Sequence, residues 1–268
     1  SLSLLIFTTS TEAQSTYTPF DSAHVFALLT KADQYMAVSE YDSAARFCHL
    51  ALDVSTRKKF LRGEAHTRIK IADIFLNKRE LKNVGFNDSI SLRIGLRLKD
   101  SLLIALSYYQ LGLLATYEDR FGVAPALFNK SLQVYFEKDQ SSTTAVIYND
   151  IGYMYGQSGN LDKQLEWLMK ALRLYDVNGD QAGTGQTLNN IASGLNEAGR
   201  TAEGLPYLKR SIEIREKSGN KMSLALVHNN AAQFYMKLDS LDMAVKHQQI
   251  GLKYAEQTGL AANMVHSY

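Results

Sequence analysis

The sequence has little of what builds disulfide-rich, membrane-spanning or nucleic-acid-binding proteins. Its one cysteine, Cys48, excludes an intramolecular disulfide and a cysteine-based metal site. Three prolines in 268 residues favour a largely helical chain, because proline interrupts the helical hydrogen-bond ladder. No apolar run reaches the ~18 residues that a membrane span needs. The net charge of +2 lacks the basic excess of nucleic-acid binders, so we expect no nucleic-acid partner and no membrane span for this segment.

What the chain does contain is a repeat with a period of forty residues. One position of the repeat holds only glycine or alanine: Ala32, Ala72, Gly112, Gly152, Ala192 and Ala232. A second position, twenty residues further on, holds only leucine or isoleucine: Leu52, Leu92, Leu132, Leu172, Ile212 and Leu252. No gap is needed to keep the register, which is the signature of a tandem array of one structural unit.

Each unit predicts two helices. In the fourth unit, apolar residues from Tyr148 to Tyr155 recur at helical spacing, and a second amphipathic helix runs from about Leu161 to Tyr175. Turn residues separate the two helices, and a glycine follows the second one, where a helix C-cap glycine belongs. The turns are expected at Gly159, Gly199 and Asp239, and the C-cap glycines are Gly179, Gly219 and Gly259.

The second unit departs from the pattern. Arg68, Gly85 and Asp88 stand where the other units have apolar or helix-forming residues. We therefore expect its second helix to be irregular.

The repeat resembles the tetratricopeptide repeat, a helix–turn–helix unit that stacks into a right-handed superhelix. The resemblance is carried by Tyr148, Ile151, Gly152, Tyr155, Leu161 and Ala171 in the fourth unit, and by Tyr108, Leu111, Gly112, Phe121, Ala124 and Phe128 in the third. The usual repeat has ~34 residues, so these longer units resemble the branch found in bacterial sensor and regulatory proteins and in some adaptors.

The resemblance implies an all-α solenoid over residues 21–268 with about six hairpins. The units are expected near residues 25–64, 65–104, 105–144, 145–184, 185–224 and 225–264, with a seventh beginning at 265–268. Because the sequence stops inside a first helix, we expect it to be part of a longer, multidomain protein.

Residues 1–20 are expected to hold the remnant of a signal peptide and a leader. A short apolar run, Leu2–Phe7, is followed by small residues at Thr11 and Ala13, as before a cleavage point. This pattern predicts an exported, periplasmic protein. The alternative is a disordered leader on a cytoplasmic protein.

A pair of polar residues, mostly amides, recurs at one phase of the first helix in the last three units. A side-chain amide both donates and accepts hydrogen bonds, so it can pair with the backbone of an extended peptide. The resemblance adds that asparagines in this part of the first helix commonly hold the ligand backbone. The predicted concave binding groove consists of Asn149, Asp150, Tyr153, Gln157, Gln186, Asn189, Asn190, Ser193, Asn196, Asn229, Asn230 and Gln233. In the alternative interpretation, the amides bond to one another between adjacent first helices and stabilise the stack.

No catalytic, metal or cofactor site is predicted. The six histidines form no HExxH motif or other ligand cluster, and Cys48 occupies a core phase. The expected function is that of a non-catalytic scaffold whose groove binds a peptide or protein segment. The resemblance implies, more specifically, the extracytoplasmic sensory region of a bacterial two-component sensor kinase. The alternatives are a cytoplasmic regulator that responds to a signalling peptide and a general assembly adaptor.

Overall fold

The computed structural model describes residues 18–134 and 140–258, and these residues form α-helices with no β-strand. The predicted leader, Gly259 and the start of a seventh unit lie wholly or mostly outside the described residues. The helices are α1 (Pro19–Ala37), α2 (Tyr41–Arg57), α3 (Leu61–Asn77), α4 (Val84–Leu98), α5 (Ser101–Tyr117), α6 (Ala124–Val134), α7 (Ser142–Gln157), α8 (Leu161–Asn178), α9 (Gln181–Glu197), α10 (Thr201–Ser218), α11 (Lys221–Lys237) and α12 (Leu241–Gln257).

The odd-numbered helices are the first helices of the repeat and the even-numbered helices are the second. The predicted all-α architecture of tandem helical hairpins is confirmed. The described residues divide into two compact units, one of residues 18–118 and 129–134 and the other of residues 119–128 and 140–258. Within each unit the first helices of successive hairpins contact one another: α1 with α3 and α3 with α5, then α7 with α9 and α9 with α11. The first helices therefore share a continuous face in each unit.

The first helices begin about four residues before the unit boundaries that we inferred from the packing register. Helix α3, for example, begins at Leu61, whereas the unit was placed near 65. The starts are instead marked by capping residues: the side chains of Asp100, Asp180 and Asn220 each accept a hydrogen bond from a backbone N–H three residues later. A side-chain acceptor at this position satisfies one of the free N–H groups of the first turn.

Left-handed residues end the helices at intervals of twenty residues. They are Ser39, Lys59, Arg79, Lys99, Asp119, Gly159, Gly179, Gly199, Gly219 and Asp239. The predicted C-cap glycines, Gly179 and Gly219, have φ values of 69° and 67°. Glycine adopts this conformation without a steric penalty. In the first three hairpins, residues other than glycine adopt the left-handed conformation, so a search for glycine does not find these helix ends.

The glycine or alanine position of the repeat is buried in all six hairpins. At Gly152 the reason is a close crossing with the second helix, because a Cβ placed there would lie 2.7 Å from Cγ of Leu168. Leu168 is itself fully buried and packs on Leu188 and Ile191 of the following hairpin. The small residue thus sets how closely the two helices of a hairpin approach.

The second hairpin is irregular, as predicted. A short 3₁₀ turn, Leu81–Asn83, precedes α4 and displaces its start to Val84. Asp88 is fully buried in α4, and neither of its carboxylate oxygens has a hydrogen-bond partner among the described residues. The irregularity is therefore energetic as well as geometric.

Replacing Gly152 by leucine should destabilise the second compact unit, which contains α7 to α12, by ~1–3 kcal/mol. The new side chain would overpack the crossing with Leu168. Chemical denaturation measures the change. Gly122→Leu is the matched control, since a Cβ at Gly122 meets no atom within 4 Å. Equal midpoints for the two variants would contradict the assigned packing position.

Candidate functional site

The repeat register defines a stripe of equivalent positions on each first helix, and we call these positions, within each compact unit, the first-helix face. All of them are exposed or partly exposed except Gln110, which is buried. In each helix it takes three positions spaced four and three residues apart, as one side of a helix requires. The face consists of Phe26, Thr30 and Asp33 on α1; His66, Lys70 and Asp73 on α3; Leu106, Gln110 and Leu113 on α5; Val146, Asp150 and Tyr153 on α7; Gln186, Asn190 and Ser193 on α9; and Leu226, Asn230 and Gln233 on α11.

In the first unit this face forms a cavity of about 450 Å³. The cavity is lined by Phe26, Leu29, Thr30, Asp33, His66, Ile69, Lys70, Asp73, Leu106, Tyr109 and Gln110. All of these residues lie on α1, α3 and α5. None of them was among the predicted groove residues, because that prediction followed the asparagines, which occur at this phase only as Asn190 and Asn230. The forty-residue step from Asn190 back to Gln110 and Lys70 was the signal that could have found them.

Three charged side chains, Asp33, Lys70 and Asp73, lie together in the cavity, and we call this group its floor. The Lys70 ammonium lies 2.6 Å from a carboxylate oxygen of Asp33 and 3.9 Å from one of Asp73. The Gln110 amide nitrogen donates a hydrogen bond to Asp73. Burial raises the pKa of the Asp73 carboxyl and opposes the effect of Lys70. Burial lowers the pKa of Lys70, but the two neighbouring carboxylates outweigh it and raise that pKa above its usual value.

In the second unit the predicted amides bond between neighbouring first helices. Asn190 on α9 donates to the Asn149 side-chain oxygen on α7 at 3.1 Å, and Thr187 donates to the same oxygen at 3.2 Å. One repeat later, Asn230 on α11 donates to the Asn189 oxygen at 3.0 Å. These are the contacts of the alternative interpretation, in which the amides stabilise the stack.

Two of the predicted groove residues are buried instead of lining a groove. Asn149 is 4% exposed because its amide lies between α7 and α9. Asn196 is 7% exposed, and its side-chain oxygen accepts a hydrogen bond from the Thr201 hydroxyl at 2.9 Å, which closes the turn into α10. The prediction of ligand contact is therefore corrected for these two side chains.

The other predicted residues keep some or all of their surface. Tyr153, Gln157, Gln186 and Gln233 are exposed, whereas Asp150, Asn189, Asn190, Ser193, Asn229 and Asn230 are partly buried. Asp150, Tyr153, Gln186, Asn190, Ser193, Asn230 and Gln233 lie on the first-helix face defined above. Contact between a ligand and these residues stays a prediction.

We expect Asn149→Ala to lower the free energy of unfolding by ~1–3 kcal/mol, because Thr187 is fully buried and loses its acceptor. Gln186→Ala, on the same helix as Asn190 but at an exposed position, should change stability by less than ~0.5 kcal/mol. Thermal denaturation of both variants makes the comparison. If Asn149→Ala melts like the wild type, the amide bonds do not stabilise the stack.

Other features carry no chemistry that we can assign. Cys48 is fully buried, and burial raises the pKa of its thiol to about 12, which agrees with its prediction as a core residue. Among the described residues no group of three or more histidine, cysteine, aspartate or glutamate side chains is arranged to hold a metal ion. A larger cavity, about 560 Å³, lies between the start of α1 and the end of α2 and involves no residue of the first-helix face.

Within residues 18–134 and 140–258, no helix combines the length and the apolar character that crossing a membrane requires.

The family model described as tetratricopeptide repeat matches residues 141–220, which hold α7 to α10. This part of the chain matches the tetratricopeptide-repeat family. The match spans two of the forty-residue units, including Gly152 and both C-cap glycines. No curated protein matches the chain by sequence.

Solved structures extend the likeness of fold to most of the chain. BtubC (BKLC) from P. vanneervenii superposes with a TM-score of 0.67 at 14% identity, over 88% of this chain and 92% of that one. A Rap protein complexed with competence and sporulation factor gives 0.73 at 11% identity, over 91% and 71%. Aspartyl phosphate phosphatase F from Bacillus subtilis gives 0.66 at 16% identity, over 90% and 66%. At these identities the likeness concerns the fold.

Proposed function

We propose that this chain is a non-catalytic scaffold that binds an extended peptide or protein segment on the first-helix face. The observation that carries the proposal is the cavity of about 450 Å³ on that face in the first unit. Its volume lies in the usual range of binding pockets, and its walls combine apolar side chains with a few polar groups, as such pockets do.

The second unit offers a matching surface of different composition. Its side of the first-helix face presents Tyr153, which is 38% exposed, and Leu226, which is 57% exposed, beside the exposed amides Gln186 and Gln233. Exposed aromatic and apolar side chains next to amides suit a peptide, because they supply buried area and backbone hydrogen bonds together.

The fold neighbours also support a binding role. One of them is the Rap protein that was solved in complex with competence and sporulation factor. A scaffold of the same fold thus carries a bound factor in at least one solved case. This support is analogy, since identity to that protein is 11%.

A displayed library of random peptides tests the proposal. We expect selected peptides to lose about tenfold in affinity, ~1.4 kcal/mol, when an exposed ring on the face is removed by Phe26→Ala or Tyr153→Ala. Leu50→Ala on α2 is the matched control, because Leu50 is 53% exposed and lies outside the face. Peptides that bind all three variants and the wild type equally would place the binding surface elsewhere.

We further propose that the scaffold is the exported sensory region of a bacterial two-component sensor kinase. The support is the signal-peptide pattern of Leu2–Phe7 and Ala13 together with the forty-residue units. The alternative is a cytoplasmic regulator that responds to a signalling peptide. Fractionation of cells that express the complete gene separates them: protein in the periplasm supports the sensor, and protein confined to the cytoplasm supports the regulator.

A further inference from the structure

The cavity of the first unit has a charge arrangement that the second unit lacks. Three side chains at its floor are ionisable: Asp33 and Asp73 are acidic and Lys70 is basic. Lys70 sits between the two carboxylates, at 2.6 Å from Asp33 and 3.9 Å from Asp73. One ammonium group thus faces two carboxyl groups, and with both of them ionised the floor carries one negative charge in excess.

The fourth ionisable group at the cavity, His66, does not balance this charge. Burial lowers the pKa of its imidazole, so the ring is neutral at physiological pH. It packs edge-on against the Phe26 ring, with the two centroids 5.6 Å apart. The wall beside the acidic floor is therefore aromatic and uncharged, and Tyr109 extends it from α5.

Gln110 provides an independent indication that the cavity lacks a hydrogen-bond donor. The residue is 2% exposed and lines the cavity, and its amide nitrogen donates to Asp73. Its amide oxygen has no hydrogen-bond partner among the described residues. A buried carbonyl oxygen without a donor is costly, and a ligand group that donates hydrogen bonds would satisfy it.

The three observations indicate the same kind of ligand group. The excess carboxylate requires a positive charge, the free amide oxygen requires a donor, and aromatic rings favour a cation at their faces. A guanidinium or ammonium group meets all three requirements, and it would offset the cost of keeping Asp73 ionised away from water.

We propose that this cavity binds the basic side chain, arginine or lysine, of an extended peptide, a specificity that rests on the proposed peptide-binding function. The carboxylates of Asp33 and Asp73 accept its hydrogen bonds, and the rings of Phe26 and Tyr109 pack along its aliphatic stem. The second unit has tyrosine, serine and glutamine, at Tyr153, Ser193 and Gln233, where the first unit has Asp33 and Asp73. The charge preference therefore belongs to the first unit.

Four libraries of capped, fluorescent heptapeptides test this specificity on the full chain. They share the same mixture of flanking residues and differ in a fixed central residue: arginine, lysine, citrulline or glutamate. Citrulline is the decisive control, because it has nearly the shape of arginine without the charge. We expect the arginine and lysine libraries to bind about tenfold more tightly than the citrulline library, as for hydrogen bonds to charged groups, and the glutamate library to bind most weakly.

Variants assign the preference to the cavity. Asp73→Asn should reduce the preference for arginine over citrulline to about twofold or less, and Asp33→Asn should reduce it as well. Asp33 serves as the second variant because its side chain is 55% exposed and its replacement is tolerated more easily by the fold. Asp42→Asn on α2 is the matched control; the Asp42 side chain is 92% exposed and outside the cavity, so the preference should not change.

The outcomes separate this inference from the proposed function. If the arginine and citrulline libraries bind equally well, the basic specificity is wrong and the peptide-binding function stands. If none of the four libraries binds, both proposals fail. A preference for arginine that survives Asp33→Asn and Asp73→Asn would also overturn the assignment to this cavity.

Discussion

Replacing Asp88 by leucine should stabilise the first unit by ~3–4 kcal/mol at neutral pH, an increase that denaturation would resolve easily. Asp88 stands at the repeat position that Phe128, Leu168 and Leu208 fill in the third, fourth and fifth hairpins. Those three side chains are at most 1% exposed, and so is Asp88. The second hairpin therefore has a carboxyl group where the third, fourth and fifth hairpins have a buried apolar side chain.

The equivalent position of the fifth hairpin indicates that a leucine fits at this site. In the second hairpin the small residue of the first helix is Ala72, and in the fifth hairpin it is Ala192. Leu208 packs against Ala192 in one core cluster of the second unit. A leucine opposite an alanine at this crossing is thus already present in the chain.

The pH dependence has a definite sign. Burial, with a smaller contribution from Asp73, raises the pKa of the Asp88 carboxyl to about 8. Below the unfolded pKa of 3.8 both states are protonated and no penalty exists. Between that pKa and 8 the unfolded state ionises while the folded state keeps its proton, so stability falls by ~1.4 kcal/mol per pH unit.

Urea denaturation of the wild type and Asp88→Leu from pH 4 to pH 8 is the measurement. The difference between the two proteins should be small near pH 4 and grow as the pH rises. Asp88→Asn is the control: it removes the ionisation cost but leaves an unpaired polar group, so it should stabilise less than leucine. A leucine variant with wild-type stability at pH 8 would mean that Asp88 has a partner or water that satisfies it.

The parts of the fold that follow from local sterics could be predicted from the sequence. Gly152 and Ala192 mark close helix crossings because only small side chains fit there, and Gly179 and Gly219 mark left-handed helix ends. These constraints act within one hairpin and repeat every forty residues. Each constraint therefore recurs several times in one sequence, and comparing the repeats with one another gives the register without an alignment of relatives.

The side-chain partners across hairpins could not be predicted in the same way. The register placed Asn149, Asn189 and Asn190 on first helices, but both interpretations of the amides satisfied it. The choice depends on whether two side chains reach each other, as Asn190 and Asn149 do at 3.1 Å. The cavity was missed for a related reason: its polar residues, Lys70 and Gln110, share a phase with Asn190 but not a residue type.

Histidines illustrate the same limit, because the sequence treats each one separately and the fold brings two together. Nδ1 of His228 on α11 lies 2.9 Å from Nδ1 of His247 on α12. Such a pair holds one hydrogen between two nitrogens, so one ring donates and the other accepts. Protonating both rings would turn the accepting nitrogen into a second donor and break the bond.

Acidification from pH 6.5 to pH 4 should therefore destabilise the second unit by about 3 kcal/mol through His228. Burial first, and the neighbouring His247 second, lower the pKa of His228 to about 4 from its usual 6.5. Above 6.5 both states are neutral and the contribution is complete. Between 6.5 and 4 the unfolded state binds the proton and the folded state does not, so stability decreases as the pH falls.

The variant His228→Leu isolates this contribution, because Leu188 fills the equivalent position one repeat earlier and is 1% exposed. Subtracting its stability from that of the wild type at each pH cancels the carboxylates that both proteins share, Asp88 among them. The difference should be constant above pH 6.5 and shift against the wild type at lower pH. The groups that face the pair, Lys246, Glu216 and the rings of Tyr235 and Tyr254, are unchanged by the substitution. A difference curve that is flat down to pH 4 would show that His228 keeps its usual affinity for protons, and the shared hydrogen bond would then have no energetic role.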